Sequence, residues 1–120
     1  MEIAVIGGGH GCYASAVSLT EQGHDVRLWR RNSAAFRPVK HSNIITLTDH
    51  KGKRDVKISV VTDTLKLAML DAELVVLPLP CDTHTSLAPQ LAPYWTEGQV
   101  GYLTPGSFGG YIYAKAAIEA

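Results

Sequence analysis

The chain has 120 residues and a mass of 12.9 kDa, enough for one domain and too short for two of ordinary size. Hydrophobic residues make up 46% and charged residues 18%, which excludes a disordered chain, and no apolar run approaches the roughly 18 residues a membrane span needs. Eleven Lys and Arg balance eleven Asp and Glu, so the overall charge gives no sign of a nucleic-acid partner.

The first element expected is a strand, Glu2 to Ile6 (EIAVI), running into Gly7-Gly8-Gly9. Its unbroken apolar character fits a parallel strand covered on both faces. A helix is expected over His10 to Gln22, with Gly23 where a C-terminal cap belongs. HDVRLW, His24 to Trp29, alternates as a second strand does. Residues 33–43 show no period. Ile44 to Thr48 and Val56 to Thr62 are β-branched runs separated by DHKGKRD, which predicts a hairpin or an antiparallel pair. Asp63 to Leu70 reads as a short helix capped by Thr62 or Asp63. Leu74 to Leu77 is a strongly apolar strand stopped by Pro78 and Pro80. Asp82 is expected to cap a helix reaching about Tyr94, shortened or bent by Pro89 and Pro93. Gln99 to Leu103 is a further strand, and a last helix runs from about Gly110 to the end.

Strands alternate with helices through most of the chain, which predicts an α/β fold with a doubly wound, mainly parallel sheet and a small antiparallel hairpin insertion. The pattern reads as one dinucleotide-binding domain over residues 1–120, most of a doubly wound unit, with a longer protein expected around it. The opening MEIAVIGGGHG lacks the basic start of a secretory signal, and Cys12 and Cys81 are too few for a disulfide scaffold. A reducing cytoplasm is the expected compartment, and no membrane partner is expected. Whether the chain forms a homo-oligomer stays open.

Gly7, Gly9 and Cys12 occupy the three positions of a G-x-G-x-x-G fingerprint between a strand and a helix. The first glycine makes the tight turn and the second lets backbone approach a pyrophosphate. The third position needs a small residue for close helix–strand packing. Cys12 departs from glycine there but is small. Gly7, Gly9, His10, Gly11 and Cys12 are therefore expected to hold the pyrophosphate on backbone N–H groups at the helix N-terminus. His10 is read as lining that loop rather than as a base. The other histidines are scattered, so no metal site is expected.

The end of the second strand chooses between cofactors. NAD sites usually place an acid there for the ribose 2′-hydroxyl, and NADP sites offer arginine to a 2′-phosphate. Here the chain reads Leu28-Trp29-Arg30-Arg31-Asn32, without an acid. A guanidinium fork suits a phosphate dianion, so NADP(H) is favoured over NAD(H), with Arg30, Arg31 and Asn32 at the adenosine end. Stacking of Arg30 on the adenine, with Arg31 merely solvated, is left open. Charge is also uneven along the chain: residues 25–57 carry nine Lys and Arg against Asp25, Asp49 and Asp55. That stretch suits an anionic ligand or a solvated surface. Loops following the later strands, Leu79, Pro80 and Cys81, and Thr104, Pro105 and Gly106, are expected to line the nicotinamide half.

The segments IAVIGGGHG, GHDVRLWRRN and DAELVVLPLP resemble the N-terminal domain shared by three 6-phosphogluconate-dehydrogenase-like families. These are the opine dehydrogenases, the glycerol-3-phosphate dehydrogenases and the ketopantoate reductases. The Lys-Gly typical of the second group and the Gln-Asn-Gly typical of the third are absent after the last strand. Tyr102 to Gly110 (YLTPGSFGG) is similar to the opine pattern, as is the insertion over residues 44–62. The resemblance implies reductive condensation of an amino acid with an α-keto acid, the imine being reduced by hydride from NAD(P)H. The catalytic residues of that family belong to a C-terminal domain with no match here. The resemblance therefore implies cofactor binding without turnover by these residues alone, and a small-molecule substrate only with the missing domain. A non-catalytic nucleotide-sensing module on the same fold is the reading from a different class.

Cys12 and Cys81 are both expected at the carboxyl edge of neighbouring strands. The helix N-terminus is expected to lower the Cys12 pKa and favour its thiolate. A redox pair blocking the cofactor site is one reading; two free packing thiols is the one expected.

Overall fold

A computed structural model describes residues 1–7, 10–30, 40, 42–50, 52–78, 81–103 and 109–119; for residues 10, 11, 49, 81–85 and 109–112 it describes the backbone alone. Seven strands and four α-helices are present among them. The strands are β1 (Glu2–Ile6), β2 (Asp25–Trp29), β3 (Ile44–Asp49), β4 (Gly52–Lys57), β5 (Val60–Thr62), β6 (Leu74–Leu77) and β7 (Val100–Leu103). The helices are α1 (His10–Glu21), α2 (Leu65–Met69), α3 (Cys81–Leu91) and α4 (Gly109–Glu119), with a single 3-10 turn at Ala92–Tyr94.

Five strands form one sheet in the order β5-β2-β1-β6-β7, and every neighbouring pair is parallel. This is the doubly wound α/β arrangement that alternating strands and helices dictate. Leu74 and Val76 of β6 face the side carrying α1, whereas Leu77 faces the side carrying α4. Successive strand residues point to opposite faces, so α1 and α4 cover opposite faces of the sheet. The centre is apolar: Ile3, Val5, Ile6, Val17, Val26, Leu28 and Leu77 are all fully buried. β1 and β6, covered on both sides, are the two strands whose limits the sequence pattern matches residue for residue.

α1 stops in a Schellman turn. Gly23 N–H donates to Thr20 O (3.0 Å) and His24 N–H to Leu19 O (3.2 Å), with Gly23 at φ +95°. That conformation favours glycine, which is why the helix ends where the sequence places its cap.

β3 and β4 form the separate antiparallel hairpin, pairing Ile44 with Lys57 through to Asp49 with Gly52. Ile45 is buried, and Leu47 and Val56 pack against the core, while Thr46 Oγ1 donates to Asp55 Oδ1 (2.7 Å) on the outer face. Arg54 clamps the hairpin to the end of α1. Its Nε and Nη2 donate to Glu21 Oε2 and Oε1 at 2.7 and 2.8 Å.

Three local expectations need correction. The β-branched run Val56 to Thr62 is not one strand: Val56 and Lys57 finish the hairpin, and Val60 to Thr62 joins the main sheet beside β2. The helix expected from Asp63 spans only Leu65–Met69 and is preceded by Thr64. Neither Thr62 nor Asp63 caps it: Thr62 Oγ1 accepts from Thr64 N–H (3.0 Å), and Asp63 is drawn to Lys40. The third helix begins at Cys81, which puts Asp82 in its first turn rather than at its cap, and it gives way at Leu91 to the 3-10 turn. Pro89 sits within that helix; Pro93 sits at the start of the 3-10 turn, where a missing N–H costs little.

Candidate functional site

Ligands of open α/β sheets lie beyond the carboxyl ends of the strands. At that edge β1 ends in Ile6, and Gly7 N–H donates to Trp29 O (2.7 Å), joining the start of the loop to the last residue of β2. Gly7 has φ +125°, a region that side chains rarely enter. α1 begins three positions later at His10, so the positive end of its dipole lies at the same edge. A tight glycine turn feeding a helix N-terminus is the geometry that accepts a pyrophosphate.

Cys12 explains how a residue larger than glycine fits the third position of the fingerprint. It is 1% exposed, with Sγ 3.9 Å from Ile6 O and 3.6 Å from Pro78 O. The sulfur thus fills the gap between α1 and the ends of β1 and β6, the close packing this position requires. Burial pushes its thiol up from 9.0 to about 11, with the nearby Arg30 guanidinium working weakly the other way. The expectation of an activated thiolate is overturned. Desolvation of a sulfur in this gap raises the pKa that a helix terminus is expected to lower. Cys12 is a free thiol.

Arg30 follows β2 immediately. Its backbone N–H donates to Thr62 O (3.2 Å), its Nη1 donates to the Tyr13 hydroxyl (2.9 Å), and its Cζ lies 5.9 Å from the Tyr13 ring centroid. Tyr13 sits one residue after Cys12, so the guanidinium is held against the first turns of α1. Tyr13 satisfies one of the five donors of the fork. β5 ends beside it. The register pairs Trp29 with Thr62, which sets Asp63 next to Arg30 at the strand ends. Lys40 Nζ donates to Asp63 Oδ2 at 2.9 Å, and that hydrogen bond holds the Asp63 carboxyl below its ordinary value.

The structure brings together, at one edge, Gly7, the start of α1, Cys12, Arg30 and the carbonyl of Pro78, the last described residue before α3. Gly9, Arg31, Asn32, Leu79, Pro80, Thr104, Pro105 and Gly106 lie outside the described residues, as do the side chains of His10 and Cys81. The sequence pattern gives Tyr13, Lys40 and Asp63 no role at this edge. Tyr13 carried no signal beyond its nearness to the glycines, and Lys40 and Asp63 are 23 positions apart. Trp95 and Tyr113 lie on the other face, where they line a cleft with Leu77, Gly101 and Leu103; Tyr113 is buried, and burial raises its hydroxyl pKa. The donor set at the edge fits a pyridine dinucleotide: backbone N–H groups for a pyrophosphate, a guanidinium and no acid directly after β2.

Residues 2–107 match the family described as NAD-dependent glycerol-3-phosphate dehydrogenase N-terminus. The chain belongs to that family. It is similar to an opine dehydrogenase of Arthrobacter sp. (strain 1C), 29% identical over 109 residues, covering 91% of this chain and 30% of that protein. It is also similar to a glycerol-3-phosphate dehydrogenase [NAD(P)+] of Leuconostoc mesenteroides, 34% identical over 94 residues, 76% of this chain and 27% of that protein. Octopine dehydrogenase, solved with NADH and agmatine, shares the fold with a TM-score of 0.78 at 19% identity, over 98% of this chain and 32% of that one. The chain spans less than a third of the length of these relatives. It is an NAD(P)-binding N-terminal domain of the opine and glycerol-3-phosphate dehydrogenase type, as the resemblance of its glycine loop and strands implied. No helix among the described residues is long and apolar enough to cross a membrane.

Proposed function

We propose that the chain is the NADP(H)-binding domain, residues 1–120, of an opine-dehydrogenase-type oxidoreductase whose catalytic domain lies elsewhere in a longer protein. Gly7, Gly9, Gly11 and Cys12 form the pyrophosphate turn, with His10 beside it. Arg30, Arg31 and Asn32 receive the adenosine 2′-phosphate. Leu79 to Cys81 and Thr104 to Gly106 line the nicotinamide half. The observation that carries the cofactor choice is the Arg30 guanidinium, directly after β2 and steadied by the Tyr13 hydroxyl, where an NAD site would hold a carboxylate. A fork held in place loses less freedom when it meets a phosphate.

With NADP(H) held by these residues, the chemistry available would be hydride reduction of an imine formed from an amino acid and an α-keto acid. This chain orients the nucleotide; the remaining protein orients the imine. In support, the opine dehydrogenase match runs over 91% of the chain, and the YLTPGSFGG segment has the opine pattern. Apolar surface also remains open beside α1, where Val100 and Tyr102 of β7 are 59% and 57% exposed, as suits a domain covered by further protein. A second reading, glycerol-3-phosphate dehydrogenase activity, is favoured by the family match and by the 34% identical relative.

Titration of the chain with NADPH and NADH tests the cofactor. NADPH binds more tightly, and Arg30→Ala with Arg31→Ala removes most of the difference, at roughly 1.5–3 kcal/mol per lost charge-assisted contact. Equal affinities in the parent chain refute the NADP reading. The longer protein decides the reaction. NADPH oxidation that needs both an amino acid and an α-keto acid supports the opine reading. Turnover of glycerol 3-phosphate without either replaces it.

A further inference from the structure

Resting on the cofactor site proposed above, we propose that the Lys40–Asp63 ion pair is a specificity-determining element that sets the charge presented to the 2′ position of the adenosine ribose. The register argues for its place. β2 and β5 pair in parallel through Trp29 and Thr62, and Arg30 N–H continues the ladder to Thr62 O. Asp63 therefore stands beside Arg30 at the carboxyl edge, one strand over from the position where an acid selects NAD. Left alone, its carboxylate would face an incoming phosphate dianion with a like charge. Lys40 prevents this at 2.9 Å.

The pair is open enough to respond to a ligand: the side chains are 38% and 27% exposed. With the pair intact, Lys40 and Asp63 cancel, and the arginines that follow β2 give the edge its net positive charge. Removing Lys40 uncovers a carboxylate that opposes them. Neutralising Asp63 frees Lys40 as a second cation for the phosphate. The two changes move the same equilibrium in opposite directions, and neither alters a residue of the pyrophosphate turn.

The probes are adenosine 2′,5′-bisphosphate and adenosine 5′-monophosphate, which share the adenosine and differ in the 2′-phosphate. They are titrated calorimetrically into the parent chain, Lys40→Met and Asp63→Asn, with folding checked by circular dichroism. The parent prefers the bisphosphate. Lys40→Met reduces that preference by roughly tenfold, the effect of one unit charge near a phosphate at a partly exposed site. Asp63→Asn increases it, and this nearly isosteric change carries the test by itself if Lys40→Met does not fold. A parent that prefers the bisphosphate, with variants that leave the preference within twofold or shift both probes alike, overturns the role of the pair and leaves the NADP reading standing. A parent without preference overturns the NADP reading and this inference with it.

Discussion

Cys12 should be chemically inert in the folded chain although it sits in the first turn of a helix. The thiol is 1% exposed, and its pKa is pushed from 9.0 to about 11. At pH 8 the thiolate fraction falls from about one in ten to about one in a thousand, so alkylation slows about a hundredfold from ionisation alone. Steric exclusion by Ile6 and Pro78 slows it further. In a Cys81→Ser chain Cys12 is the sole thiol, and iodoacetamide labelling followed by mass spectrometry reads it directly. The native rate should be at least about a hundredfold below the rate in guanidinium, and it should keep rising past pH 9. A native rate within tenfold of the denatured one refutes the burial argument and restores the helix-terminus thiolate. The same shift predicts alkaline weakening. The folded state keeps this proton above pH 9 while the unfolded state loses it. The contribution is whole below pH 9 and disappears between pH 9 and about 11, at roughly 3 kcal/mol in all. Comparison with Cys12→Ala across that range isolates it from other titrating groups.

Gly7→Val places a branched side chain at φ +125° in the pyrophosphate turn; it should cost roughly 1–3 kcal/mol in stability and abolish dinucleotide binding, read by thermal melting and by NADPH titration. Wild-type affinity in a folded variant would show that the turn is not the site. Arg54→Ala removes the fork on Glu21, a pair 29% and 38% exposed, so global stability should fall by at most about 1 kcal/mol. Amide exchange over residues 44–57 should nevertheless quicken, because that pair ties the hairpin to α1; unchanged exchange there would mean that the packing of Ile45 and Leu47 suffices.

Legibility in the sequence follows what each signal depends on. β1 and β6 are bounded by glycine or proline and buried on both faces, so composition alone marks their ends. The run Val56 to Thr62 is uniform in composition yet serves two sheets. Lys57 pairs with Ile44 and Val60 pairs with Arg27, and nothing in β-branched character encodes which partner a residue takes. Lys40 and Asp63 meet only because residues separated by the whole hairpin return to the same edge, a juxtaposition with no local period. The Cys12 thiol departs from the sequence expectation for a different reason. The helix terminus is visible in sequence, but the depth of burial that opposes it is a property of packing.

The departure at Cys12 then bears on the fingerprint itself. A glycine at this position lets a helix approach its strand; here a sulfur occupies the approach and lies within reach of Ile6 O and Pro78 O. The requirement is therefore for a side chain that fills a gap of this width without unmet polar groups. Cysteine meets it as a small, weakly donating residue. Alanine fills less of the gap and leaves those carbonyls without a donor from this side. A larger residue would push α1 away from the ends of β1 and β6, and with it the helix N-terminus from the edge that receives the pyrophosphate. The order of tolerance at this position should accordingly be Cys, then Ala and Gly, then Val and Leu, in stability and in NADPH affinity together. An affinity that stays constant while stability falls would separate the packing of this helix from its role in the site.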